Sequence, residues 1–207
     1  VMKNFFDGLP FNFRNNCEIL YPAIRKLKYF PKKEKIIIFT GKLNTSKGYD
    51  IFGNVILKIL DKFKDWRAYA IGNERRETHN FQHKNFNVID WLPHERILNF
   101  YKKSSISVAC SRWQEPFGRT AMESAAYGCA TITSDRGGLT ETFNNDLIIN
   151  NLTISTLEKL IIKIIKNNKL LKKIQRKNFK NVVHQIEHLT SKTDVLKNNF
   201  LTKQIHY

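Results

Sequence analysis

The sequence lacks any apolar run near the roughly 18 residues needed to span a bilayer; its longest candidates, IIIF and LIIN, are strand-sized. No secretory leader is expected, because VMKNFFDG has no charged region running into an apolar one. It also lacks an initiator Met, so a fragment of something longer is expected. Cysteine is scarce: Cys17, Cys110 and Cys129 form an odd set without CxxC spacing. That excludes a disulfide framework and points to free thiols in a reducing cytosol. No His/Cys/Asp cluster has ligand spacing, so no metal is expected. His79 and His83 lie four apart, but within ETHNFQHKN, read as a polar loop with both rings in solvent. Acidic residues are few, 18 against 35 Lys and Arg, which leaves a net charge of +17.

What is present is enough for a core. The 207 residues are 42% hydrophobic and include 15 Phe, which excludes disorder by composition. Lysines recur through EKLIIKIIKNNKLLKKIQRKNFK (158–180) with apolar residues between them at helical spacing, an amphipathic basic helix or helix pair. Such a face is either simply solvated or attracted to an anionic membrane surface. It has no aromatic stacking platform and no nucleic-acid motif, so nucleic acid is not the expected partner.

Along the chain, short apolar runs alternate with helical patterns. Strands are expected at KIIIFTG (35–41), WRAYAIG (66–72), NFNVIDW (85–91), ISVAC (106–110), ATITS (130–134) and LIIN (147–150). Helices are expected at 49–63, 94–103 and 119–127, with a short one near 138–143 and the basic helices after it. This alternation implies an α/β fold with a parallel sheet covered on both faces. Residues 1–34 read as a lead-in segment, 35–185 as the domain, and 186–207 as a helical tail.

In such a sheet, ligands bind outside the carboxyl ends of the strands. Those ends carry GKLNTSKG (41–48), Gly72-Asn73, Trp91-Leu92-Pro93, SRWQEPFGRTAME (111–123) and SDRGG (134–138). Gly-rich turns that lead into helix starts, with lysines nearby, suit a phosphate or diphosphate. Glu115 precedes a turn and Glu123 lies in the second turn of the next helix, so both can face one cleft. The amides of Gly118, Arg119 and Thr120 would meet a diphosphate there, with a carboxylate on either side for sugar hydroxyls. On physical grounds alone, Glu115 as a helix-start charge and Glu123 as a surface residue are equally open.

EPFGRTAMESAAYG closely resembles the E-x7-E signature of the retaining glycosyltransferases of family 4, followed by their A-x-A-x-G. Four more pieces match in order: VMKNFFDG (1–8), FTGKLNTSKGYD (39–50), VIDWLPHERILNFYKKSSISVACSRWQEPFG (88–118) and SDRGGLTE (134–141). The resemblance covers residues 1–185. It implies one half of a GT-B enzyme, a Rossmann-like parallel sheet that binds the donor nucleotide-sugar, with the acceptor-binding N-terminal domain absent from this chain. On that resemblance Lys42 and Lys47 neutralise the donor diphosphate and, with Glu115, form the catalytic set. Glu115 grips the donor sugar with the backbone of Phe117 and Gly118, and Glu123 holds the ribose. Gly41, Arg119, Thr120, Gly137 and Gly138 complete the donor site, the segment around Trp91 lines the base pocket, and Glu141 helps close the last loop.

Two departures stand out. Lys42 replaces the family's usual Arg, which keeps the charge but loses the bidentate fork, and Phe5 replaces the Gly of the interdomain motif. KGYDIFG (47–53) resembles lipopolysaccharide-core mannosyltransferases, which implies GDP-mannose as donor, a lipid-linked glycan acceptor, no cofactor, and a cytoplasmic place at the inner membrane face. A UDP-sugar is the alternative donor. A non-catalytic basic module on an anionic membrane is the alternative class.

Overall fold

The run Ile36-Ile37-Ile38-Phe39 is apolar on both sides of the pleat, the pattern of a strand buried on two faces. In the computed structural model it is the centre of β1 (Glu34–Thr40). The structure describes residues 7, 8, 10, 24, 27–142 and 145–182. Most of the lead-in over 1–34, including Phe5 and Cys17, and the whole tail over 186–207 lie outside those residues.

Five further strands follow: β2 (Arg67–Ile71), β3 (Phe86–Ile89), β4 (Ser104–Ala109), β5 (Ala130–Ser134) and β6 (Ile148–Ile149). All pair in parallel, in the spatial order β3-β2-β1-β4-β5-β6. The chain therefore reverses its direction of travel across the sheet between β1 and β4. A crevice opens at that point, outside the carboxyl ends of two neighbouring strands.

Helices α1 (Tyr49–Lys62), α2 (His94–Lys103), α3 (Arg119–Ala126) and α4 (Ile154–Lys166) connect the strands, and α5 takes residues 168–182. The α1 stripe of Phe52, Val55, Ile56 and Ile59 meets Leu157, Ile161 and Ile164 of α4 over one face of the sheet. Leu98 and Tyr101 of α2 and Ala121, Met122 and Ala125 of α3 cover the other. Alternation along β1 matches, since Ile37 and Phe39 belong to the first cluster and Ile38 to the second. Helix α5 crosses beneath the amino end of the sheet. Its Leu171 and Ile174 join the first layer and Val182 the second, while Gln175 and Asn178 donate to the carbonyls of Ser105 and Cys129 at 2.9 Å. Lys33 reaches the same end and donates to the last carbonyls of two helices, Tyr101 at 2.8 Å and Tyr127 at 2.6 Å.

Several boundaries differ from the sequence reading for identifiable reasons. Strand β3 stops at Ile89 because the Asp90 carboxylate takes the amide of Trp91 at 2.6 Å and the Asn73 side chain at 2.9 Å. Strand β4 begins two residues early, at Ser104 and Ser105, whose polar character hides that both are buried; Ser105 donates to the Glu34 carbonyl. The helix expected near 138–143 is a single 3-10 turn, Gly138–Thr140, where the Thr140 and Thr142 hydroxyls take carbonyls of the turn.

The solvent-exposed reading of His79 and His83 is corrected. Their loop is irregular as expected, yet the side chains are only 18% and 13% exposed. The His79 ring stacks on Phe81 and meets the edge of Tyr49, because the loop folds back over α1. Phe81 fills the space above Gly53, where a Cβ would lie 2.1 Å from its ring.

Candidate functional site

The loop after β1 is built to hold one lysine still. Asn44 caps the 3-10 turn Thr45–Lys47, its side chain accepting from the Lys47 amide at 3.0 Å. Glu77, from the loop after β2, accepts from both the amide and the hydroxyl of Thr45 at 2.7 Å. Arg112, from the loop after β4, grips Asp50 with both terminal nitrogens at 2.6 and 2.7 Å and also reaches the Thr45 carbonyl. Burial pushes the Asp50 carboxyl up, but the hydrogen bonds and charge of Arg112, with backbone amides, outweigh it and hold the carboxyl below its usual value. The amides of Arg112 and Trp113 close the arrangement on the Ser46 carbonyl.

From this turn Lys47 spans the crevice to Glu115, Nζ to Oε1 at 2.5 Å, with both side chains mostly buried. Around them lies a cavity of about 210 Å³, also lined by Gly41, Gly118, Arg119 and Thr120. Gly118 enters α3 with φ 93° and no side-chain cap. The first amides of a helix have no partner within it, and the residues that carry them here, Arg119 and Thr120, line the cavity with Lys47. Thr40 in the floor shares a hydrogen bond with the buried Tyr101 hydroxyl. Burial raises that phenol's pKa, so it stays neutral.

Gly137 and Gly138 do not line the cavity; they support it from behind. The Gly138 amide donates to the Glu115 carbonyl at 2.6 Å, and Gly137 forms a bridge to Glu115. A Cβ on Gly137 would lie 2.4 Å from that carbonyl oxygen, and one on Gly138 2.5 Å from the Pro116 oxygen. The side chain of Phe117, whose expected role is a backbone one, packs against the second core cluster. Gly41 has open space where a Cβ would go; the close approach belongs to Gly72, whose Cβ would sit 1.9 Å from the Gly41 oxygen.

Glu123 is buried, its side chain 8% exposed, so it is not the surface residue that one sequence reading allowed. Its Oε1 meets His94 Nε2 at 3.0 Å and Arg119 Nη2 at 3.2 Å. Lys42 is exposed on the β1 loop, outside the cavity, and Trp91 stands 56% exposed before α2. The structure thus brings Gly41, Lys47, Glu115, Gly118, Arg119 and Thr120 into one cavity, with Glu123 bonded to Arg119 beside it, and leaves Lys42 and Trp91 outside it.

Sequence reasoning missed Arg112, Asp50, Glu77 and His94. Arg112 and Asp50 stand within matched motifs, yet only the fold shows that they pair across the crevice. Glu77 sits in a polar loop with no signal of its own. Among the described residues no three His, Cys, Asp or Glu side chains gather as a metal-ligand set, and no helix is long and apolar enough to cross a membrane. Cys110 and Cys129 are unpaired and buried, and burial pushes the Cys110 thiol up to about 12.

Comparison with known proteins agrees with this fold. Among curated relatives, the glycosyltransferase-like YtcC of Bacillus subtilis (described as putative) is 24% identical over 180 residues, 77% of this chain and 44% of that protein. The chain spans less than half the length of the first curated relatives it matches. Sucrose-phosphate synthase from Thermosynechococcus elongatus shares the fold with a TM-score of 0.68 at 17% identity, over 82% of this chain and 46% of that one. The C-terminal domain of a glycosyl transferase group 1 family protein (LpcC) from Francisella tularensis does so with a TM-score of 0.61 at 23% identity, over 80% of this chain and 94% of that one. The family model for glycosyl transferases group 1 matches residues 21–181, and with so much of its length inside that match the chain belongs to the glycosyl transferases of group 1.

Proposed function

We propose that the chain is the donor-binding half of a retaining glycosyltransferase, and that the cavity between the β1 and β4 loops takes the diphosphate and sugar of a nucleotide-sugar. The observation that carries this reading is the meeting of Lys47, Glu115 and the uncapped start of α3 at the sheet's switch point. Without donor, the lysine and the carboxylate neutralise each other. With donor, Lys47 turns to the diphosphate, and Glu115 accepts from sugar hydroxyls that replace the ammonium.

The chemistry follows from those positions. As the bond from the anomeric carbon to the phosphate oxygen breaks, negative charge builds on the leaving diphosphate and the sugar gains oxocarbenium character. Lys47 and the α3 amides are already aimed at that charge, and such fixed dipoles cost no reorganisation as it develops. Lys42, exposed on the same loop as Lys47, adds a second cation. Glu123 takes the ribose hydroxyls, and Trp91 borders the base. The two glutamates bind hydroxyls; they are not the acid and nucleophile of a glycosidase.

The donor is GDP-mannose and the acceptor a lipid-linked glycan of the cell envelope, a specificity that rests on the KGYDIFG likeness. A partner N-terminal domain supplies the acceptor side. A place at the inner membrane face is supported by α4 and α5, where Lys159, Lys163, Lys166, Lys169, Lys172 and Lys173 are exposed. The one carboxylate in residues 154–182, Glu158, faces Lys58 at 3.6 Å.

Calorimetric titration with GDP, UDP and GDP-mannose, beside a Glu123→Ala variant, tests the reading. GDP-selective binding that the variant loses supports both the ribose role and the donor. A preference for UDP keeps the reaction and sinks mannose. Binding that is salt-sensitive and indifferent to the nucleotide would favour the non-catalytic basic module.

A further inference from the structure

We propose that His94 is a positioning residue for the nucleoside end of the donor site, fixing the Glu123 carboxylate relative to the loop Asp90–Pro93. The inference rests on the reading of Glu123 as the ribose ligand and adds the residue that sets its orientation. A carboxylate as buried as Glu123 needs charge-assisted partners. Among the described residues it has two, and both meet the same oxygen: Arg119 Nη2 at 3.2 Å and His94 Nε2 at 3.0 Å on Oε1. An ionised carboxylate can only accept, so Nε2 carries the proton and donates. Oε2 is then the oxygen turned to a vicinal diol.

The two donors are not equivalent. Arg119 stands one turn before Glu123 on the same helix, so it holds the carboxylate against α3 and nothing else. It also lines the diphosphate cavity, where an arriving phosphate competes for its guanidinium. His94 belongs to the neighbouring helix. It is the first residue of α2, directly after the loop that carries Trp91, and Leu98 and Tyr101 anchor that helix in the core. The hydrogen bond from His94 therefore fastens the base-side loop to the ribose carboxylate and survives when Arg119 turns to phosphate. The charged neighbours on its own helix are Glu95 and Arg96; from α3 it faces Glu123 and Arg119.

His94 is itself 54% exposed, and a merely structural contact there would change folding stability while leaving nucleotide discrimination untouched. The test measures that discrimination. The 207-residue chain is titrated calorimetrically with GDP and with 2′,3′-dideoxy-GDP, and with the UDP pair, for wild type, His94→Phe, His94→Asn and His94→Gln. A site that hydrogen-bonds a diol loses on the order of tenfold or more in affinity when the diol is removed, and wild type is expected to show that ratio. His94→Phe and His94→Asn, the latter too short to reach Oε1, bring the ratio to within about twofold, while His94→Gln, which can still donate, restores it. If His94→Phe is unfolded by circular dichroism, the Asn and Gln pair carries the comparison. A wild-type ratio retained in His94→Phe or His94→Asn overturns the proposal and leaves Glu123 in its role. Equal affinity of wild type for ribo and dideoxy nucleotides overturns the role of Glu123 itself, and absence of any nucleotide binding overturns both.

Discussion

At the scale of single residues, the site depends as much on what is small as on what is charged. Gly137 holds φ 57° and ψ −134° with no room for a Cβ, since the Glu115 carbonyl is 2.4 Å from that position. Alanine there must strain the backbone and push the Glu115 turn outward. The expected cost is about 1–3 kcal/mol of stability, read as a Tm drop of about 2–4 °C for each kcal/mol. Nucleotide affinity should fall with it, because Glu115 and the start of α3 move together. A Gly137→Ala protein with unchanged Tm and unchanged binding would show that this contact has no such role.

At the scale of elements, the 3-10 turn Thr45–Lys47 is fixed by two other loops, those after β2 and β4, and the Asp50–Arg112 pair is its most specific tie. The Asp50 carboxyl titrates lower in the folded chain than in the unfolded one. Its contribution is therefore complete above the unfolded value of about 3.9, and it is lost as pH falls through the folded value. Thermal midpoints of wild type and Asp50→Asn should differ near neutral pH and converge as the pH drops below about 4. A gap that stays constant across that range would mean that the pairing does not contribute. Elements were also where the sequence was most legible. The α2 span His94–Lys103 and β5 span Ala130–Ser134 match their expected bounds, because their hydrophobic periods run unbroken between clear punctuation. Where short polar side chains divert the backbone, as at Asp90 and Thr142, or are buried within a strand, as at Ser104 and Ser105, periodicity misplaced the boundary.

At the scale of the whole molecule, charge and chemistry lie apart. The cavity around Lys47 and Glu115 opens at the carboxyl ends of β1 and β4, while α5 runs beneath the opposite end of the sheet. If the lysine face of α4 and α5 meets a membrane, binding to vesicles with anionic lipid should exceed binding to neutral ones and weaken as salt rises. Lys163→Glu with Lys166→Glu should reduce that binding severalfold in a flotation assay without altering nucleotide affinity; equal flotation of variant and wild type would refute the surface assigned. The sequence by itself determined the alternating elements, the parallel sheet, and most of the residues that meet at the switch point. Local periodicity and turn chemistry are written in neighbouring residues, and the E-x7-E stretch brings its own turn and helix start. Only the tertiary structure decided that Lys47 and Glu115 pair across the crevice, that Gly137 and Gly138 brace the site from behind, that Glu123 is buried against His94, and that His79 is covered. Those contacts join residues tens of positions apart, and the strand order that brings them together follows from how two apolar layers close over one sheet, which no single stretch of sequence encodes.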